Sequence, residues 1–366
     1  MESFPSRAVR AFGKPVEFIY SPDTASFCIY GRVNGLRTAV LAGLAATATD
    51  ETAAFSLKTT ETPVSEIADI ITNPMRLIKH QRAAEMTPFA SRIPPMANFD
   101  SWSGEVEVSH VDLGEFILSA LDTIHPFVSK ESNRENLQRS QLDLDPEYAT
   151  LVSTDGHRLQ TACVPYGFVE DGKTSIPVPT KLLNALKLST CLHFEYRTEE
   201  GGCALTAMSK EYGIVTVWWQ PDGQGYPNWP PVVPNLDDPD QEYSEAPHCP
   251  GEFVEIPKDC RKFEMGLHLL TVGDVLVPAF GVVDKDMVIY LGGADVNDDS
   301  SLASHIAVSA KYGYELGRAL KEIPADKISM YTSSADKPIR IDWEQGDLQF
   351  THVLMPKRAC AWPSAE

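Results

Sequence analysis

Apolar residues along the chain follow two different spacings, and the change from one to the other is the first sign of its organisation. From Glu105 the sequence is EVEVSHVDLGEFILSALDTI, where alternating apolar residues give way to apolar residues spaced three and four apart. Alternation is typical of a half-buried strand, and the wider spacing is typical of an amphipathic helix. The segment therefore predicts a strand followed by a helix over His110 to Ile124.

The same patterns return toward the C-terminus. FVEIPKDCRKFEMGLHLLTV from Phe253 again predicts a strand and then a helix, here over Lys258 to Leu270. A strand, a short helix and a second strand are also predicted twice, with helices over Thr180 to Leu188 and over Ser309 to Ile323. Such similarity between distant segments indicates an internal repeat, in which one structural unit is used at least twice.

The N-terminal part shows only the later half of this unit, in AAFSLKTTETPVSEIADII from Ala53. The preceding segment VEFIYSPDTASFCIYGRV from Val16 predicts two strands around a turn, and no opening helix is recognised. Strands that alternate with two short helices in each unit predict an α+β fold with antiparallel sheets.

Prolines mark the strongest break in the chain. Pro221 to Pro250 contains eight of them together with a run of acids, a composition that disfavours a helix or a central strand. A weaker break lies at Ser91 to Gly104. We therefore predict the following division: domains 1–100, 101–235 and 251–359, a linker 236–250, and a C-terminal tail 360–366.

Charge limits the classes of partner. With 31 Lys and Arg against 51 Asp and Glu, the net charge of -20 predicts a surface that on average repels nucleic acid and anionic membranes. Any contact with DNA therefore needs a local basic patch. The longest apolar region, Leu267 to Val283, is interrupted by Gly273, Asp274 and Pro278, so no membrane span is predicted.

The seven cysteines contain no CxxC pair, which argues against a zinc site and a disulfide framework and favours reduced thiols in the cytoplasm. The N-terminal residues MESFPSRAVRAFGKPVEF lack the apolar core of a signal peptide. We expect a cytoplasmic protein without metal or cofactor.

The densest group of reactive side chains lies in LVSTDGHRLQTACVP, Leu151 to Pro165. Tyr148 to Ser153 and Leu159 to Val164 are both typical of strands, and Asp155-Gly156 between them is a hairpin signal. A plain turn is one interpretation, and a hydrolase that uses Asp155, His157 and a nearby Ser or Thr is a rival. The sequence contains no G-x-S-x-G, G-x-G-x-x-G, G-x-x-x-x-G-K-[ST] or H-E-x-x-H motif, so no catalytic residue is predicted.

Three motifs in a fixed order resemble the bacterial sliding clamp, the beta subunit of DNA polymerase III. These are TDGHRL after a strand, YPNWPPVVP from Tyr226, and THVLMPKRA near the C-terminus. The resemblance covers residues 101–359 well and 1–100 poorly. It implies three repeated clamp domains in each chain, with sheets outside and two helices per domain inside, and a head-to-tail homodimer that closes a ring around duplex DNA.

The resemblance also gives the TDGHRL turn a role, as part of a hydrophobic pocket that captures short peptides of partner proteins. The partners it implies are DNA polymerase, the clamp loader ATPase, and repair or translesion polymerases. The predicted pocket comprises Leu137, Thr154, Gly156, His157, Arg158, Leu159, Pro227, Val232, Val353, Leu354, Met355, Pro356 and Arg358. The alternative for Val353 to Met355 is a buried edge strand, and for Pro227 a loop proline.

A ring around DNA needs cations toward the phosphates. The candidates on the predicted helices are Lys181, Lys187, Lys258, Arg261, Lys262, Lys311, Arg318 and Lys321. An ordinary solvated helix face is the alternative for each of them. The helix over His110 to Ile124 has three acids and neither Lys nor Arg.

Taken with the resemblance, these features predict a non-enzymatic, nucleoid-associated processivity factor. The reduced first domain leaves open a monomeric adaptor that binds the same peptides without encircling DNA. The chain departs from the family at Glu135-Asn136 and Pro230-Pro231, where aromatic and basic residues are common, and in the tail CAWPSAE. Trp362 in that tail is a candidate to occupy the peptide groove, with a frayed terminus as the alternative; unchanged peptide affinity after truncation at Ala359 would exclude the groove.

Overall fold

The computed structural model describes part of the chain in detail. The described residues are 4–12, 17–21, 26–42, 53–58, 87–88, 109–167, 173–197, 202–221, 225–240, 243–245, 266–272, 275–284, 287–290, 305–309, 312, 315–316, 320, 323–324, 327–333 and 337–356. They divide into two compact units. The first comprises 1–151 and 166–226, and the second comprises 152–165 and 227–366.

Helices are few among the described residues: α1 (Phe4–Phe12), α2 (Val111–Ile124) and α3 (Thr180–Leu186), with 3-10 turns at His125–Phe127, Glu135–Leu137 and Pro230–Val232. The strands of the first half are β1 (Glu17–Ser21), β2 (Ser26–Val33), β3 (Leu36–Ala42), β4 (Ala53–Lys58), β5 (Thr87–Pro88), β6 (Ser140–Leu144), β7 (Tyr148–Thr154), β8 (Arg158–Pro165), β9 (Thr174–Val178) and β10 (Leu188–Arg197). Those of the second half are β11 (Gly202–Ser209), β12 (Gly213–Pro221), β13 (Ser244–Glu245), β14 (Gly266–Val272), β15 (Val275–Asp284), β16 (Met287–Tyr290), β17 (His305–Ser309), β18 (Ile328–Thr332), β19 (Ile339–Gln345) and β20 (Leu348–Leu354).

The first unit is built on an eight-stranded sheet in the order β10-β11-β12-β3-β2-β1-β4-β5. Neighbouring strands in it pair antiparallel, and β12 pairs with β3, so strands from both sides of residue 100 share one sheet. Asn34-Gly35 turns the chain between β2 and β3 with positive φ at both residues, as a tight hairpin requires.

Two of the helices pack against this unit through apolar faces. On α2 the buried residues are Leu113, Gly114, Phe116, Ile117, Ala120, Leu121 and Ile124, which recur at helical spacing. The helix packs against β10. On α1 the ends Phe4 and Phe12 are both buried, and Arg7 donates to Ala185 O of α3 and pairs with Glu211.

The second unit contains two antiparallel sheets. β13-β18-β19-β20-β8 is one run of neighbouring strands, and β16-β15-β14-β17 is a separate four-stranded sheet. Helical backbone at Tyr312, Glu315, Leu316 and Leu320 agrees with the helix predicted over Ser309 to Ile323. Leu316 and Leu320 are buried.

Most of the predicted elements that fall on described residues are found at their predicted positions, whereas the strands predicted from Glu105 and from Phe253 lie outside the described residues. The two strands around a turn near Val16 are β1 and β2, and the helix predicted over His110 to Ile124 is α2. The α+β fold with antiparallel sheets is confirmed. The division into three domains stays a prediction.

One predicted helix is wrong in its second half. The prediction over Lys258 to Leu270 runs into β14, which pairs with β15 along its whole length and with β17 on its other side. The leucines of GLHLLTV fit both the helical and the strand spacing. The segment is a strand because it pairs with β15 on one side and with β17 on the other. Residues 258–265 lie outside the described residues.

Candidate functional site

The polar residues of TDGHRL hold a hairpin turn together. Asp155 Oδ1 accepts the backbone N–H groups of His157 at 3.0 Å and Arg158 at 3.2 Å. Thr154 Oγ1 accepts the N–H of Gly156 and donates to Arg158 O at 2.6 Å. Gly156 has φ 90°, a backbone conformation that glycine adopts more readily than other residues. The Asp and Thr side chains are thus used by the turn.

The turn lies next to the last strand. β8 pairs with β20 so that Leu159 is opposite Val353 and Arg158 is opposite Leu354. Beyond the strand, Met355 N–H donates to His157 O at 3.1 Å. The structure thus brings together two motifs that lie nearly 200 residues apart in the sequence.

The side chains on this pair of strands differ in exposure. Leu159, Val353 and Leu354 are buried, whereas Met355 is 38% exposed. His157 and Gly156 are exposed as well. Met355 is thus the apolar side chain at this end of the strand pair that reaches solvent.

Arg158 is the electrostatic centre of this region. Its side chain is 2% exposed, and it pairs with Asp155 at 3.0 Å and with Glu315 at 2.5 Å. The guanidinium carbon lies 4.5 Å from the centre of the Tyr312 ring, which also stacks with His157. Burial of this cation is compensated by two carboxylates and an aromatic face.

Sequence reasoning missed Tyr312 and Glu315. Both lie in the helical segment after β17, three residues apart, and so project from neighbouring positions of one helix face. That spacing was visible in KYGYELGRAL, but the partner of this face, Arg158, lies 157 residues earlier. Tyr312 belongs with the candidate site because it contacts both His157 and Arg158.

The remaining predicted pocket residues are placed as follows. Pro227 and Val232 are exposed, Thr154 is buried and Pro356 is half-buried. Leu137 is buried on the 3-10 turn Glu135–Leu137 of the first unit. Arg358 lies outside the described residues, as does the tail with Trp362.

His352 lies one residue before Val353 and is fully buried. Its Nδ1 is 3.0 Å from Gln160 Oε1 of β8. Burial, and then the charge of Arg158, lower the pKa of His352 from 6.5 to about 3. The imidazole is therefore neutral at physiological pH.

The shift predicts a pH dependence of stability. The unfolded chain binds a proton at His352 near pH 6.5, whereas the folded chain does so only near pH 3. The contribution is therefore fully present above pH 6.5 and is lost as the pH falls toward 3, at up to about 1.4 kcal/mol per pH unit. Urea unfolding across this range measures it. His352→Gln, which cannot take up the proton, is expected to flatten the slope, and an unchanged slope would contradict the assignment.

Two of the predicted DNA-facing cations can be located. Lys181 in the first turn of α3 and Lys187 at its end are both exposed, and Lys187 ends the helix in the left-handed conformation. Burial is the main cause that lowers the pKa of His125; the charges of Lys130 and Lys181 lower it further, and Asp122 raises it, so both lysines lie close enough to His125 to act on it. The other candidates, Lys258, Arg261, Lys262, Lys311, Arg318 and Lys321, lie outside the described residues.

Helix α2 contrasts with α3 in charge. Asp112 and Asp122 are exposed on it, and Glu115 accepts the Cys191 N–H at 2.8 Å. The exposed charges of α2 are therefore acidic, whereas those at the two ends of α3 are basic. Within the described residues there is no cluster of His, Cys, Asp and Glu able to hold a metal ion. No helix among them is long and apolar enough to cross a membrane.

Comparison with solved structures identifies the fold. The chain matches the DNA polymerase III beta chain of Streptococcus pneumoniae with a TM-score of 0.59 at 10% identity, over 97% of this chain and 96% of the other. The sliding clamp of Pseudomonas aeruginosa bound to griselimycin matches with a TM-score of 0.59 at 12% identity, and the Helicobacter pylori beta clamp bound to a DNA ligase peptide with 0.57 at 15%, over the same shares of each chain. No protein-family model and no curated protein matches.

These matches define the class of structure. The chain has the fold of the bacterial sliding clamps, over nearly its whole length. The fold expected from TDGHRL and its companion motifs is confirmed.

Proposed function

We propose that this protein is a divergent sliding clamp that tethers partner proteins to duplex DNA through a peptide-binding surface. One observation carries the proposal: within the clamp fold, a hydrogen bond joins the TDGHRL turn to the end of the last strand, and His157 and Met355 are exposed there while Arg158 is buried. The turn itself uses the side chains of Asp155 and Thr154 in its own hydrogen bonds, which argues against a hydrolytic role for this motif. This supports a binding role for the turn.

A surface of this kind recognises short peptides by burying a few apolar anchors. Met355 and Val232 supply exposed apolar area, and the His157–Tyr312 pair supplies an aromatic face. The Helicobacter clamp was crystallised with a DNA ligase peptide, which supports peptides of DNA-processing enzymes as the partner class. The partners proposed are DNA polymerase, repair polymerases and a clamp loader ATPase.

Ring closure by a homodimer is the second part of the proposal. The sheet of the first unit has eight strands and joins strands from two predicted domains. The sheet β16-β15-β14-β17 has only four strands. Its outer strands β16 and β17 each pair on one side within the described residues. A second copy that adds strands to this sheet would complete it. DNA is then retained by topology, and exposed cations such as Lys181 make weak, salt-sensitive contacts.

Peptide binding tests the first part. A fluorescein-labelled DNA ligase peptide, as bound by the Helicobacter clamp, is titrated with the protein, and griselimycin serves as competitor. Met355→Asp places a charge in the apolar surface and is expected to weaken binding roughly tenfold or more. Ile214→Asp is the matched control, since Ile214 is an apolar residue on β12 of the other unit that is 45% exposed, against 38% for Met355. Equal losses in both variants, or no binding of either ligand by the unaltered protein, would contradict the proposal.

A further inference from the structure

Arg340 on β19 connects a proline-rich segment to the sheet that carries the candidate site. Its Nε donates to both carboxylate oxygens of Asp342, at 3.0 and 2.8 Å, and its Nη1 donates to Pro234 O at 2.8 Å. Asp342 in turn accepts the hydroxyl of Thr351 at 2.7 Å. Arg340 is thus oriented by β20 and by its own strand before it reaches Pro234.

The segment held in this way is Pro227–Pro234, which we call the proline segment. It has four prolines, so few of its backbone groups can join a sheet. Its internal backbone bonds include two short-range ones, from Val232 N–H to Trp229 O and from Val233 N–H to Pro230 O. The bond from Arg340 to Pro234 O therefore supplies an anchor that the segment cannot make by itself.

The anchor lies on the face of the sheet that bears the peptide-binding surface. Arg340 is directly opposite Val353, and Val353 is directly opposite Leu159 of the TDGHRL hairpin. Residues opposite one another on antiparallel strands share a face. Val232, which is 40% exposed, is two residues from the anchored Pro234, and Met355 is two residues from Val353.

We propose that Arg340 is a positioning residue for peptide binding: it holds the proline segment beside the last strand and so fixes Val232 as part of the peptide-binding surface. This rests on the proposed peptide-binding function. The planar guanidinium is suited to the task, because it engages the Asp342 carboxylate and the Pro234 carbonyl at the same time. A lysine carries the same charge but lacks the several planar N–H donors that make both contacts.

Hydrogen exchange and peptide titration of the full chain test the inference together. In Arg340→Met the amides of Val232 and Val233 are expected to exchange roughly tenfold faster, and affinity for the labelled DNA ligase peptide to fall by a similar factor, as loss of a charge-assisted bond implies. Exchange at Trp343 and Phe350 in the β19–β20 hairpin should stay unchanged. Arg340→Lys should resemble Arg340→Met.

Lys337→Met is the matched control, because Lys337 is exposed on the same stretch of chain and the change removes the same charge. If Lys337→Met weakens the peptide as much, net charge explains the effect and the proposal is overturned. Faster exchange in the proline segment without loss of affinity would also overturn it, as would unchanged exchange. If the unaltered protein binds neither the ligase peptide nor griselimycin, the proposed function fails. Hydrogen exchange at Val232 and Val233 still shows in that case whether Arg340 holds the proline segment, so the two failures can be told apart.

Discussion

Replacing Arg158 by Met is expected to destabilise the protein by about 3 kcal/mol, because it removes one partner of a buried ion-pair network. Arg158 is 2% exposed between Asp155 and Glu315, and it covers the face of Tyr312. Without the cation, the largely buried carboxylates of Asp155 and Glu315 both lose this counter-charge. The methionine restores most of the volume, so the loss measures charge and not a cavity.

Chemical denaturation of three variants separates the contributions. Arg158→Lys keeps the charge but lacks the planar set of N–H donors, and it should lower the free energy of unfolding by roughly 1–2 kcal/mol. Adding Glu315→Gln to Arg158→Met removes one stranded carboxylate and should recover part of the stability. A loss below about 1 kcal/mol for Arg158→Met would mean that the network contributes no more than a surface ion pair. Peptide affinity should fall as well, because Arg158 lies between His157 and Leu159.

Gly114→Ala is expected to destabilise the first unit, although helix propensity alone predicts the opposite. Alanine in a helix interior is favoured over glycine by about 1 kcal/mol. At Gly114, however, an added Cβ would lie 2.2 Å from Cys191 Sγ and 3.1 Å from Phe194 Cβ, both buried on β10. Overpacking costs roughly 1–3 kcal/mol and occasionally more, and an approach of 2.2 Å belongs at the upper end of that range. The steric term is larger, and the expected result is a net loss.

Thermal and urea unfolding of Gly114→Ala provide the measurement, with Gly225→Ala as its control. An added Cβ at Gly225 meets nothing within 4 Å, so that variant should be near neutral. Cys191→Ala in the Gly114→Ala background removes the nearest atom but leaves Cys191 Cβ at 3.2 Å, so partial recovery is expected. A more stable Gly114→Ala protein would contradict the close approach of α2 to β10.

Local patterns were sufficient for elements whose spacing and flanking signals agree. The apolar face of α2 and the Asp155-Gly156 turn are such cases, and both are found where predicted. Helix α1 was missed although Phe4, Ala8 and Phe12 recur four residues apart, a spacing that indicates one helix face. Pro5 is compatible with it, because proline is tolerated in the first helical turn.

Long-range pairing was not accessible from the sequence alone. The adjacency of His157 and Met355 depends on β8 meeting β20, and only the resemblance to the clamps suggested it. The same limit explains the wrong helix over Lys258 to Leu270, where pairing with β15 and β17 decided the structure. Tyr312 and Glu315 were missed because their contacts to the hairpin are made across the fold and not along the chain.

The mass of the protein in solution, measured by light scattering over a dilution series in moderate salt, tests most directly whether this clamp fold closes into a ring. The account predicts a species of twice the 40.3 kDa chain that persists on dilution. A single species of 40.3 kDa at every concentration would contradict ring closure and would favour a monomeric adaptor that binds peptides without encircling DNA.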